Sequence, residues 1–105
     1  MDARWRSAVS RAYYAAYAAV AGRLEGLASY PDGRFGPSHD LLPQLVMTYL
    51  TSLGKFDRRL VASAAKRLYR QRIAADYEPP VTVELEESRA ALRDASLIVR
   101  MVANA

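Results

Sequence analysis

The sequence predicts an all-α fold, and three observations carry that prediction. Apolar residues recur at steps of three and four along most of the chain. Turn-forming clusters rich in Gly, Pro, Asp and Ser break that rhythm, and no segment shows the period-two alternation of a strand. Hydrophobic residues make up 51% of 105 positions. That suffices for one packed core, whereas two cores of half the size would each be marginal. A single domain over residues 1–105 is expected, built as an antiparallel bundle of about four helices.

The first helix is expected over residues 3–28. Trp5, Val9, Ala12, Ala16 and Val20 lie along one helical row, and Tyr13, Tyr17, Val20, Leu24 and Leu27 along a neighbouring one, so together they form a wide apolar face. Arg11, Ala15, Ala18 and Gly22 make a further row, small after its first member, that would let another helix approach closely. Three tyrosines inside SRAYYAAYAAV contribute flat area and hydroxyls that need partners when buried, so Tyr13, Tyr14 and Tyr17 are expected to be packing residues.

The stretch SYPDGRFGPSHD is a loop by composition. A short second helix follows, with Asp40 as N-cap, Pro43 in the first turn where a missing N–H costs nothing, and Gly54 as the stop. Its stripe is Leu42, Leu45, Val46, Tyr49, Leu50 and Leu53. The third helix is expected over residues 57–77, with Leu60, Val61, Ala64, Ala65, Leu68 and Ala75 toward the core and Tyr69 and Ile73 beside them. Glu78, Pro79 and Pro80 end it, because the residue before a proline avoids helical geometry. Thr82 is the expected N-cap of the last helix, with Glu84, Glu86 and Glu87 favouring its dipole. Leu85, Leu92 and Val99 recur every seven residues, as do Ser88, Ala95 and Val102, a seam suited to bundle packing.

The absence of cysteine excludes disulfides and thiolate metal sites, and a single histidine excludes His–His metal motifs within one chain. No Gly-rich phosphate loop of known spacing occurs. Neither metal nor cofactor is therefore expected. The charged N-terminus is unlike a secretory signal, and no apolar run reaches the roughly 20 residues of a membrane span. A cytoplasmic protein is the expectation. The net charge of +4 is uneven: residues 1–75 hold 12 basic and 5 acidic groups, residues 76–105 hold 3 and 6. Seven basic residues lie between Lys55 and Arg72 against Asp57 alone. That balance suits phosphates, or pairing between the two segments.

Ala8-Val9-Ser10-Arg11-Ala12-Tyr13-Tyr14-Ala15, then Ser38-His39, then Arg70, Arg72, Ala75, Asp76 and Tyr77 follow one another along the chain. A Thr-x-Glu-x-Glu opening before Ala90, Ala91, Leu92, Ala95 and Val99 comes after them. In these residues the chain resembles the HEPN family, a helical family named for its occurrence in higher eukaryotes and prokaryotes and for nucleotide binding. The resemblance is to its small stand-alone prokaryotic branch. The match runs in order over nearly the whole chain, although the branch usually has one more helix before RAYYA. Either that helix is absent or this sequence starts late relative to a longer product; its absence would leave an apolar groove beside the first helix for a second copy to cover.

The resemblance implies a helical bundle, commonly a homodimer. It also implies a place in toxin–antitoxin or defence systems, often beside a minimal nucleotidyltransferase antitoxin. Many members are metal-independent endoribonucleases with an Arg, four to six residues, then a His. Arginine stabilises phosphate charge and histidine moves protons. Counting from Arg70, the histidine positions hold Ala75, Asp76 and Tyr77; counting from Arg72, they hold Tyr77, Glu78 and Pro79. The only literal match, Arg34 to His39, crosses a Gly-Pro loop. The expected function is therefore binding of RNA or a nucleotide through Arg11, Arg67, Arg70 and Arg72. Tyr13, Tyr14, Tyr17, Asp76 and Tyr77 would form a structural network. Two alternatives stand beside it: a ribonuclease using Arg70 with His39 or Tyr77 in the histidine's place, and a non-catalytic adaptor docking a nucleotidyltransferase.

Overall fold

The computed structural model describes residues 3–27, 39–77 and 85–105, with side chains over 7–27, 39–75 and 85–105. Within these residues the chain is all-α. It runs α1 (Ala3–Leu24), α2 (Leu42–Tyr49), α3 (Lys55–Tyr77) and α4 (Leu85–Ala103). Among the described residues no helix is long and apolar enough to cross a membrane.

α1 stops four residues before the expected end. Gly26 takes a φ of 82°, a left-handed conformation that a glycine reaches without strain. The Leu27 N–H then turns back to the Leu24 carbonyl at 2.9 Å. Leu27 is consequently 55% exposed and leaves the core that the sequence pattern had given it. Of the rest of its face, Val9, Ala12, Tyr13, Ala16, Val20 and Leu24 are buried as expected, and Tyr17 is half-buried.

α2 begins later than expected. Leu41, not Asp40, occupies the N-cap position, with no side-chain cap, and Pro43 sits in the first turn. The helix also ends at Tyr49 rather than running on to Gly54. Leu50 leaves helical geometry at φ −83° and ψ 55°, and the Leu53 N–H turns back to the Leu50 carbonyl at 3.0 Å, so both leucines stay buried without a continuing helix. Gly54 instead opens the next element, its carbonyl accepting from the Arg58 N–H at 2.9 Å. α3 therefore starts two residues earlier than predicted. The proposed Thr82 cap and the Pro79-Pro80 stop lie outside the described residues, as do Arg34 and the side chain of Trp5.

Contacts fix the helix directions. Arg67 of α3 meets Asp94 of α4, and Leu60 lies near Arg100 and Asn104, so α3 and α4 are antiparallel as expected. α1 and α4 run the same way: Ala12 and Ala15 flank Leu92 to Val99, and further along Arg23 donates to the Ala103 carbonyl at 2.7 Å. That last contact places a cation on an orphan carbonyl at the end of α4, where the helix dipole favours it. Arg58 does similar work between α3 and α2, donating to the Met47 carbonyl at 2.7 Å.

The core lies where α1 and α3 meet α4 through small residues. Ser88, Ala91, Ala95, Ile98 and Val102 of α4 are buried, as are Val61, Ala64, Ala65, Leu68 and Ala75 of α3. The parallel row Leu85, Leu92 and Val99 is not: these are 38%, 47% and 40% exposed. Leu60, expected in the core, is 36% exposed. The small row Arg11, Ala15, Ala18 and Gly22 is exposed throughout, so none of the described helices covers it.

Candidate functional site

The residues with chemistry gather where the middle of α1, the far half of α3 and the turn before α2 meet. Tyr13 and Tyr14 are adjacent on α1 and splay toward different surroundings. Tyr13 is buried at 2% exposure, and Tyr14 is 46% exposed. Their rings stand edge to face, with centroids 5.4 Å apart. Arg72 reaches across from α3 and donates from its guanidinium to the Tyr14 hydroxyl at 2.5 Å. Its guanidinium carbon lies 4.9 Å from the Tyr14 ring centroid and 5.2 Å from that of Tyr13. With 7% exposure it is a buried cation held by two aromatic faces and a hydroxyl.

His39 closes the other side. Its ring stacks on Tyr69 at 7° and 5.8 Å, and packs against Tyr17 at 4.7 Å and Tyr13 at 5.4 Å. Its Nδ1 is hydrogen-bonded to the Tyr13 hydroxyl. Burial and, next, the Arg72 cation lower the His39 pKa below its ordinary value, with Asp40 opposing them. Burial pushes the Tyr13 phenol well above its ordinary range despite the pull of Arg72. Both shifts agree on one arrangement: a protonated phenol donates to the Nδ1 of a neutral imidazole.

A pH dependence follows from that arrangement. Below about pH 6.5 an unfolded histidine takes up a proton that the folded His39 resists. Linkage then lowers stability as pH falls through 6.5 toward the depressed folded value, and the full stability is present above 6.5. Among the described residues the charged and titratable groups around the ring are Tyr13, Tyr14, Tyr17, Tyr69, Arg72 and Asp40, and of these only the carboxylate would welcome a second cation. Thermal midpoints between pH 8 and pH 5 should fall more steeply for wild type than for His39→Gln. Parallel curves would place the acid sensitivity elsewhere.

The expected phosphate-binding arginines have separate fates. Arg67 forms a two-pronged pair with Asp94, Nε to Oδ2 at 3.2 Å and a terminal nitrogen to Oδ1 at 2.9 Å, which holds its pKa above the ordinary value. Arg72 is committed to the tyrosines. Arg70 and Arg11 are exposed. His39 therefore meets Arg72 and four tyrosines rather than Arg11 or Arg70. Tyr69, which the sequence pattern placed only beside the core, is the stacking partner of His39; its position three residues before Arg72 on one helix face was the available signal. Nothing in the sequence singled out Asp94.

Ala75, the first position where Arg70 would require a histidine, is 3% exposed inside the core. The side chains of Asp76 and Tyr77, both in the last turn of α3, lie outside the described residues. Among the described residues no three His, Cys, Asp or Glu side chains converge as a metal site would require. No protein-family model, curated protein or solved structure matches the chain.

Proposed function

We propose that this chain is a HEPN-like helical protein of a toxin–antitoxin or defence locus that binds RNA or a nucleotide without cutting it. The observation that carries this reading is the burial of Ala75 in the core, at the position where the ribonuclease signature needs its proton donor. Arginine alone can bind a phosphate, but it cannot move the protons of 2′-hydroxyl attack. Of the arginines in question, Arg11 and Arg70 are open to a ligand.

The protein acts as a homodimer in this reading. Leu85, Leu92 and Val99 form an exposed apolar stripe on α4, beside the exposed small row of α1. Ala12, Ala15, Leu92, Ala95 and Val99 line the groove between the two helices. A second copy presents the same small residues and stripe, so the face is self-complementary. A nucleotidyltransferase docking there is the alternative occupant.

A second reading has one observation in its favour: Arg72 and His39 both rest on Tyr13, which assembles in space the pair that the sequence lacks at its usual spacing. That reading keeps ribonuclease activity with His39 as the proton carrier.

One set of proteins tests these readings. Wild type, Arg70→Ala, His39→Ala and Leu92→Glu are incubated with labelled single-stranded RNA in EDTA, and their masses are measured by light scattering. Intact RNA is expected throughout, bound by wild type and less well by Arg70→Ala. Wild type should show twice the 11.7 kDa chain mass and Leu92→Glu the chain mass itself. Cleavage that disappears in His39→Ala would establish the enzyme instead. A monomeric wild type that binds no RNA would leave the adaptor.

A further inference from the structure

α3 bears a second cationic feature, separate from the buried Arg72. Lys55, Arg59, Lys66 and Arg70 follow one another at steps of four, seven and four residues. At about 100° and 1.5 Å per residue, they fall within a wedge of about 60° along about 22 Å of helix. All four are exposed. Among the described residues none of the four has an ion pair, in contrast to their neighbour Arg67. Between Arg59 and Lys66, exposed Ser63 borders the row on one side and buried Ala62 on the other. Carboxylates border the row without interrupting it: Asp94 is held by Arg67 on one side, and Asp40 shares a groove with Lys66 on the other.

Beside Lys55 stands Phe56, 72% exposed. Burying such a ring would stabilise the fold, yet it lies outside the core cluster and next to a row of unpaired cations. A flat apolar ring beside a line of positive charge is the arrangement by which proteins hold single strands. Cations follow the phosphates, and the ring stacks an unpaired base. A duplex has no unstacked base to offer such a ring.

We infer that the outer face of α3 is a rail for one strand of RNA, with Lys55, Arg59, Lys66 and Arg70 on its phosphates and Phe56 under a base. This rests on the RNA-binding reading above and specifies where the RNA lies and in what form. Because the contacts are to backbone and ring, recognition is by single-strandedness rather than by sequence.

The test is fluorescence anisotropy with a labelled 12-nucleotide oligouridine and a duplex of equal length, over a range of salt. Wild type is expected to prefer the single strand. Its log K should fall with log salt at a slope of about −3, from about 0.7 per neutralised phosphate. Lys66→Gln with Arg70→Gln should reduce that slope by about 1.4. Phe56→Ala should weaken binding at least about fivefold and leave the slope in place. These side chains are exposed, so the variants should fold, and circular dichroism checks that they do. A slope unchanged in the double variant, a neutral Phe56→Ala or a preference for duplex each overturns the rail. RNA binding that is lost only in Arg11→Gln overturns the rail and leaves the functional reading standing, whereas a wild type that binds no RNA overturns both.

Discussion

Ala75→His is expected to lower the thermal midpoint by roughly 8–48 °C and to produce no ribonuclease. The substitution writes the missing histidine back into its sequence position, and by motif alone it should restore catalysis. The structure gives the opposite expectation. Ala75 is 3% exposed and packs in the same core as Leu68, Val61 and Ala91. An imidazole there must displace close-packed neighbours, at about 1–3 kcal/mol. It must also bury polar nitrogens that lack a partner, for about 1–3 kcal/mol more. Against a total stability of about 5–15 kcal/mol this is a heavy loss, and each kcal/mol moves the midpoint of a chain this size by about 4–8 °C. A melting curve followed by circular dichroism, with an RNA cleavage assay on the same sample, decides it. A variant that melts near wild type and cuts RNA would show that the core opens at this position, and the proposal of lost catalysis would fail.

Arg72→Ala should cost about 2–4 kcal/mol, Arg72→Met markedly less, and neither should change affinity for RNA. Alanine removes the hydrogen bond to Tyr14, two cation–π contacts and the packing of the stem. Methionine keeps the stem between Tyr13 and Tyr14, and removing a buried charge in favour of an apolar chain is often nearly neutral. The Tyr14 hydroxyl, half exposed, can turn to water once its donor is gone. Urea denaturation of the two variants measures the stability difference, and anisotropy at fixed salt measures RNA binding. Loss of RNA affinity in Arg72→Met with stability retained would move Arg72 from the structural clamp to the ligand.

The two halves of this picture differ in how far the residue pattern alone could disclose them. Helical spacing located all four helices and most buried positions of α1 and α3. What spacing could not decide was which of two apolar rows on α4 would be covered. Leu85, Leu92 and Val99 are the bulkier row, and on hydrophobicity alone they should have been inside. Ser88, Ala91 and Ala95 are inside instead, because small side chains let α1 and α3 draw their backbones close. The same limit applies to the charges. Arg67, Arg70 and Arg72 read alike in sequence, yet one is paired to Asp94, one faces water and one lies under Tyr14. Their fates depend on partners far along the chain. Gly54 misled for a related reason: a glycine between two helices can end the first or open the second, and the buried stripe through Leu50 and Leu53 fits both, whereas the chain leaves helical geometry at Leu50 and Gly54 accepts the first bond of α3.

The pairing of α1 with α4 also sets a timetable for synthesis. About 60 residues separate the end of α1 from the start of α4, which at bacterial-to-eukaryotic elongation rates of roughly 5–20 residues per second is about 3–12 s. For that interval the α1 face of Val9, Ala12, Ala16 and Val20 has been made while the α4 surface it packs beside has not. α1 therefore waits on α4 for much of its packing, a long-range contact that its sequence neighbours cannot replace.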